Sequence, residues 1–234
     1  MSESTSKPSP AAEGTPTLIV GANRGIGLEL ATQLNTRGDT VIAACRRSSD
    51  ELDALGGVEV HTGVDVTNEA SVKALAETLG PESLDRLWLV AGVLKAVALD
   101  SLNADVVREQ FEVNALGPLT TVVALLPCLR PGSKVALLTS RMGSIADNTS
   151  GGSYGYRMSK AALNMAGRSL SLDLKPRGIS VGILHPGWVK TDMTAGQGLI
   201  DAATSAESLI GLVDELTLER SGEFVHQNGE ALPW

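Results

Sequence analysis

Short apolar runs alternating with segments of helical periodicity, from residue 17 almost to the end, restrict this chain to a layered α/β fold. Residues 17–20 form the first run and lead into a glycine-rich turn at 21–27, after which Ile26, Leu30 and Leu34 recur at helical spacing. Further strands are predicted at 40–44 and 58–63, the latter ending at Asp65-Val66 before another helical segment. A fourth strand is expected at 87–91, then a long helix covering 106–116 and carrying Asn114, and a fifth strand at 134–139 ending at Ser140. The helix containing Tyr156 and Lys160 is expected to run to about Lys175, with a sixth strand at 179–184 and a short last one at 224–225. Thr204-Ser205-Ala206-Glu207 has capping-box spacing and predicts the start of the last helix. Continuous apolar strands separated by helices predict a mostly parallel, doubly wound sheet of about seven strands, with helices on both faces.

A chain of 234 residues, 43% of them hydrophobic, can build one substantial core without a disulfide scaffold or a structural metal. Its net charge of -8 is the wrong sign for wrapping a nucleic-acid backbone. Cys45 and Cys128 fall in different elements and give neither a CxxC pair nor a metal cluster, which fits a reducing, cytoplasmic setting. His61, His185 and His226 are also scattered, with no HExxH pattern, so no catalytic metal is expected. Residues 1–15 are polar and rich in Ser and Pro, lack the apolar stretch of a secretory signal, and are expected to be a disordered tail before a single domain at 16–234. The longest apolar passage, near 87–99, is interrupted by Lys95 and Gly92, so no membrane span is expected.

Gly21-Ala22-Asn23-Arg24-Gly25-Ile26-Gly27 reads GxxxGxG. Such a pattern is compatible with an ordinary turn, but its place between the first strand and a helix favours a phosphate cradle. Small residues let the backbone approach a pyrophosphate, and the new helix offers unpaired N–H groups to its charge. Arg46, at the end of the second strand, stands near the position where a carboxylate would hold the ribose of NAD. A guanidinium there can pair with a 2′-phosphate, so NADP(H) is preferred and NAD(H) stays possible, with Arg24 as a second contact. A solvent-facing arginine is the plainer alternative, and Arg47 competes for the register. Asp65 could accept from an adenine amino group, with Val66 contacting through its backbone; a helix-starting Asp-Val-Thr segment is the competing reading.

Tyr156 and Lys160 lie four positions apart, on one face of a helix. A nearby ammonium favours phenolate, which tunes the pair for acid–base work. Ser140 could donate to a substrate oxygen while Tyr156 supplies or removes its proton, and Asn114 could hold a backbone kink and a water near Lys160. Each residue taken singly also suits a cap, a packed ring or an exposed charge.

Taken in order, GANRGIG at 21–27, DV at 65–66, VNALG at 113–117, SRMG at 140–143, YRMSK at 156–160 and HPGWVKTDM at 185–193 resemble the classical short-chain dehydrogenase/reductase family. The closing NGEALPW is similar to endings in its C-factor-like and carbonyl-reductase-like branch. The resemblance implies a single Rossmann-like domain and a catalytic tetrad of Asn114, Ser140, Tyr156 and Lys160, with Lys160 also contacting the nicotinamide ribose. It further implies that Lys160 and the oxidised cofactor lower the tyrosine pKa, and that Ala91 and Gly92 keep a small surface beside the nucleotide. By the same resemblance Pro186, Gly187, Val189 and Thr191 border the nicotinamide. Trp188 is placed either at the substrate mouth or simply packed in its loop. Two departures stand out: Val20 replaces the usual threonine, and Leu89-Val90 replaces the familiar Asn-Asn, so a strand-locking network is expected to lack its amide groups. The implied activity is hydride transfer between NADP(H) and a small carbonyl or alcohol substrate by a homodimer or homotetramer. An NADP-binding regulatory protein with little turnover is the alternative.

Overall fold

Alternate side chains of each central strand enter different cores, which is why these runs are apolar throughout. In the first strand, β1 (Pro16–Val20), Leu18 and Val20 join one buried cluster and Ile19 the other. The same division holds for Leu87 and Leu89 against Trp88 in β4 (Leu84–Leu89). The computed structural model describes residues 14–234. The expected tail therefore lies outside the described residues except for Gly14 and Thr15, whose backbones already bond to Gly38 and Thr40.

The remaining strands are β2 (Thr40–Ala44), β3 (Glu59–His61), β5 (Leu129–Leu138), β6 (Ser180–His185) and β7 (Phe224–His226). All seven pair in parallel in the order β3-β2-β1-β4-β5-β6-β7. The order reverses direction between β1 and β4, and a crevice opens there beyond the strands' carboxyl ends. The helices are α1 (Gly25–Arg37), α2 (Asp50–Asp53), α3 (Glu69–Leu79), α4 (Ala104–Phe111), α5 (Gly117–Leu125), α6 (Tyr154–Leu174) and α7 (Ala202–Asp214). Helices α1 and α7 pack together on one side, and α3, α4, α5 and α6 make contacts on the other.

Among the boundaries that differ from the sequence expectation, such as a third strand cut to Glu59–His61, three have a physical reason. The fourth strand begins at Leu84 and stops at Leu89, because Asp85 and Arg86 find ionic partners and therefore do not mark a loop. The fifth begins at Leu129, five residues early, across a register shift opposite Leu84 and Arg86. The last helix is capped by Asp201, whose carboxylate accepts from the Thr204 amide at 2.8 Å, so Thr204 lies inside the first turn and the expected Thr204–Glu207 box does not start it. A nearer and fully charged acceptor wins the capping role.

The long helix expected around Asn114 is one continuous run in which α4 and α5 are joined by a π-helical turn, Glu112–Leu116. The run Ala104–Cys128 is long and apolar enough to cross a membrane by length and composition alone. Here it packs against α3 and α6 and carries the fully buried polar side chains of Gln110 and Asn114.

Candidate active site

The chain leaves β1 through Gly21, whose φ of 96° suits glycine, and a Cβ there would lie 2.6 Å from the Ala91 amide nitrogen. Behind it, a Cβ on Gly27 would lie 2.0 Å from the Gly21 carbonyl oxygen. Any side chain at either position would force β1, β4 and α1 apart. Arg24 at the N-cap makes no capping hydrogen bond, and the first turn of α1 has no acidic residue. This helix start therefore turns uncapped N–H groups and a positive dipole end toward the crevice, a setting that fits the pyrophosphate of a dinucleotide.

Beyond it lies a cavity of about 490 Å³. Gly21, Asn23, Arg24, Gly25 and Ile26 line one end, Arg46, Asp65 and Val66 the adjoining wall, and Ala91 and Gly92 the floor. Tyr156, Lys160, Pro186 and Thr191 also line it, with Thr191 against the glycine turn, where a Cβ on Gly25 would lie 3.4 Å from its methyl group. Arg46 lines the cavity and Arg47 does not, which resolves the register between them; the Arg46 side chain is 70% exposed and 4.0 Å from Asp65. Burial pushes the Asp65 pKa up, but hydrogen bonds from the Thr67 amide and hydroxyl, together with Arg46, outweigh it and hold the carboxyl below its usual range. Arg24 reaches across to Asp192 at 3.6 Å, tying the glycine turn to the loop after β6.

Gly27, Asn114, Ser140, Gly187 and Val189 are not part of the cavity lining. Asn114 is a backbone clamp: its amide accepts from the Val93 N–H and donates to the Val93 carbonyl, both at 2.8 Å, and also donates to Ser159 at 3.0 Å. The π turn aims it at the segment following Gly92. Ser140 caps a short 3-10 turn, Arg141–Gly143, accepting from the Met142 amide, and hydrogen-bonds the Tyr156 phenol. Val189 pairs with Ile200 in an isolated bridge, and its carbonyl accepts from the Thr194 hydroxyl at 2.8 Å. Trp188 is half exposed and outside the lining. His185 is buried against His226, 4.9 Å between ring centroids; burial, His226 and Arg141 push its pKa down to about 3, so the ring is neutral.

Without cofactor, burial rather than Lys160 sets the direction of the Tyr156 shift; the expected lowering by Lys160 with the oxidised cofactor belongs to the loaded site. Burial raises the Tyr156 pKa and the Ser140 hydrogen bond only partly counters it. Lys160 lies 5.9 Å from the ring centroid, with its Nζ donating to the Leu138 carbonyl at 2.8 Å, and burial pushes its own pKa down to about 8. An ammonium turned toward a strand carbonyl does not offset the burial of the phenol, so Tyr156 is protonated in this state.

Several lining residues were not foreseen from sequence, among them Glu109, Thr139, Lys190 and Met193. Thr139 donates to the buried Asn164 amide oxygen at 2.5 Å, stapling the end of β5 to α6. Asn164 at four residues after Lys160 was the available signal. Past Leu89-Val90, which carry no side-chain amides, the backbone still ties β4 to β1: the Val90 and Ala91 amides both donate to the Val20 carbonyl, at 2.9 and 3.0 Å.

Residues 16–199 match the short chain dehydrogenase family profile. The chain belongs to that family. It is 46% identical over 223 residues, 93% of its length and 98% of the relative's, to a Rhodococcus 1-hydroxy-2-glutathionyl-2-methyl-3-butene dehydrogenase. Among solved structures it resembles the Sniffer carbonyl reductase of D. melanogaster, with a TM-score of 0.87 at 29% identity over 95% of this chain and 100% of that one. An NADPH-bound carbonyl reductase from chicken fatty liver gives 0.85, also at 29% identity, with the same coverage. The carbonyl-reductase-like assignment within the family thus holds in fold as well as in motif. This member is an oxidoreductase.

Proposed function

We propose that this short-chain dehydrogenase family member transfers hydride reversibly between NADP(H) and a carbonyl or alcohol, and works chiefly as a carbonyl reductase. The observation that carries the direction is a buried, protonated Tyr156 hydrogen-bonded to Ser140 at the end of the crevice that begins with the glycine turn. NADPH, when bound, supplies the hydride to the carbonyl carbon. The Ser140 hydroxyl orients the carbonyl oxygen, and Tyr156 gives it the proton. Asn114 clamps Val93 after β4, Lys160 bonds the Leu138 carbonyl at the end of β5, and Gly21, Gly25 and the start of α1 hold the pyrophosphate.

A panel of aldehydes, ketones and quinones with NADPH and NADH tests this reading. Turnover with NADPH preferred is expected. Tight NADPH binding without turnover across the panel would support the regulatory alternative. The Rhodococcus relative's name adds a second class for the oxidation direction, alcohols carrying a neighbouring glutathionyl thioether, and one such compound belongs in the panel.

Arg46→Ala should weaken NADPH binding and leave NADH nearly unchanged. Losing charge-assisted hydrogen bonds to one phosphate costs about 1.5–3 kcal/mol, or roughly 10- to 100-fold in Kd. An unchanged ratio of the two dissociation constants, read by fluorescence titration, removes Arg46 from cofactor selection.

We further propose that the protein acts in the cytoplasm as a homodimer or homotetramer, in keeping with two free, buried cysteines. Sedimentation giving the 24.3 kDa mass of one chain would overturn the oligomer.

A further inference from the structure

The cavity holds three acidic side chains, and each faces a cation other than Lys160. Asp65 faces Arg46, Glu109 pairs with Lys95, and Asp192 pairs with Arg24. Among the described residues Lys160 forms no ion pair, and its Nζ donates to a single acceptor, the Leu138 carbonyl. Opposite it, a Cβ on Gly92 would lie only 3.7 Å from Nζ; the glycine leaves that approach clear, and both residues line the cavity. We propose that in the cofactor-free protein the Lys160 amine forms an imine with aldehydes entering the cavity, and that bound NADP(H) shields it.

The nitrogen lone pair attacks the carbonyl carbon, forming the C–N bond and a carbinolamine. The two amine hydrogens then leave with the carbonyl oxygen as water, giving R–CH=N–Lys160 without any oxidant or reductant. Burial has already moved this lysine to a pKa of about 8. At pH 8 about half of it is free amine, against under about 1% of an ordinary lysine with pKa near 10.4. Substrate and poison are thus the same compound, sorted by whether cofactor is in place first. The shielding rests on the dinucleotide-binding reading above; the imine does not.

The test incubates the full chain at pH 8 with benzaldehyde and sodium cyanoborohydride, which fixes an imine as a stable benzylamine, followed by peptide mass mapping. Lys160 is expected to label at least about tenfold faster than Lys73, which is exposed and paired with Glu69. Saturating NADP, oxidised so that no turnover occurs, should suppress that label by a similar factor. Lys134 is an internal control: burial lowers its pKa too, but its Nζ donates to the Val213 and Asp214 carbonyls and does not line the cavity. Lys160→Arg should lose only the Lys160 label while keeping its circular dichroism spectrum. Labelling of Lys160 no faster than Lys73 overturns the imine. Labelling that NADP leaves unchanged, in protein shown by titration to bind NADP, overturns the shielding. Failure to bind NADP at all overturns the dinucleotide-binding reading and leaves the imine standing.

Discussion

Tyr156→Phe is expected to lower kcat for carbonyl reduction by about 10³, within the 10²–10⁴ range for loss of a positioned general acid. The phenyl ring keeps the buried packing, so Kd for NADPH should stay within about twofold of the parent and the fold should be unchanged. Only the hydroxyl, and with it the proton, is removed. Because Tyr156 is protonated in the resting site, the loss should be deep across neutral pH in the reducing direction, with no recovery as pH falls. Single-turnover kinetics with NADPH separate this chemical loss from product release. A variant within tenfold of the parent would show that water or another side chain delivers the proton, and the assignment of Tyr156 would fail.

Arg86→Ala is expected to produce the largest loss of stability. At the end of the sheet opposite the crevice, two guanidiniums and two carboxylates alternate. Arg86 bonds Asp39 at 3.0 Å and Asp214 at 2.8 Å, and Arg37 bonds the same two carboxylates at 2.6 Å each. The Asp39 side chain is only 2% exposed. Removing one cation leaves a buried carboxylate short of a partner, which typically costs 3–5 kcal/mol; with Arg37 remaining, about 3 kcal/mol is expected. For a domain of this size that is a fall in Tm of roughly 6–12 °C. Calorimetry on the variant measures it. The distance from the crevice predicts that kcat below the transition stays within about twofold. A Tm within about 2 °C of the parent would mean that desolvation already offsets the network's attraction.

These two sites mark where sequence reasoning is strong and where it stops. The glycine turn, the Tyr156–Lys160 spacing and the strand-end position of Ser140 are local patterns; the structure brings the first two to the lining of one crevice because parallel strands end on the same side, and leaves Ser140 outside that lining, beside Tyr156. Arg86 gives no such signal. Its charge sits beside an apolar run and reads as a strand boundary, and only Asp39 and Asp214, 47 and 128 positions away, make it tolerable inside β4. Thr139 and Asn164 behave alike: each is unremarkable alone, and their 2.5 Å bond exists only once β5 lies against α6. The last helix shows the limit on a shorter scale, since the Thr204 box and the Asp201 cap are both legal starts and the competition is decided by which acceptor reaches the amides.

By itself the amino-acid order determined the α/β layering, the strand count and the placing of Tyr156 and Lys160 on one helix face, because periodicity and short spacings are properties of neighbouring residues. The tertiary structure decided the charge states. Burial raises one pKa and lowers the other, and the Leu138 carbonyl rather than the phenol receives the ammonium. Desolvation depends on what the rest of the chain places around a group, and no local spacing encodes it.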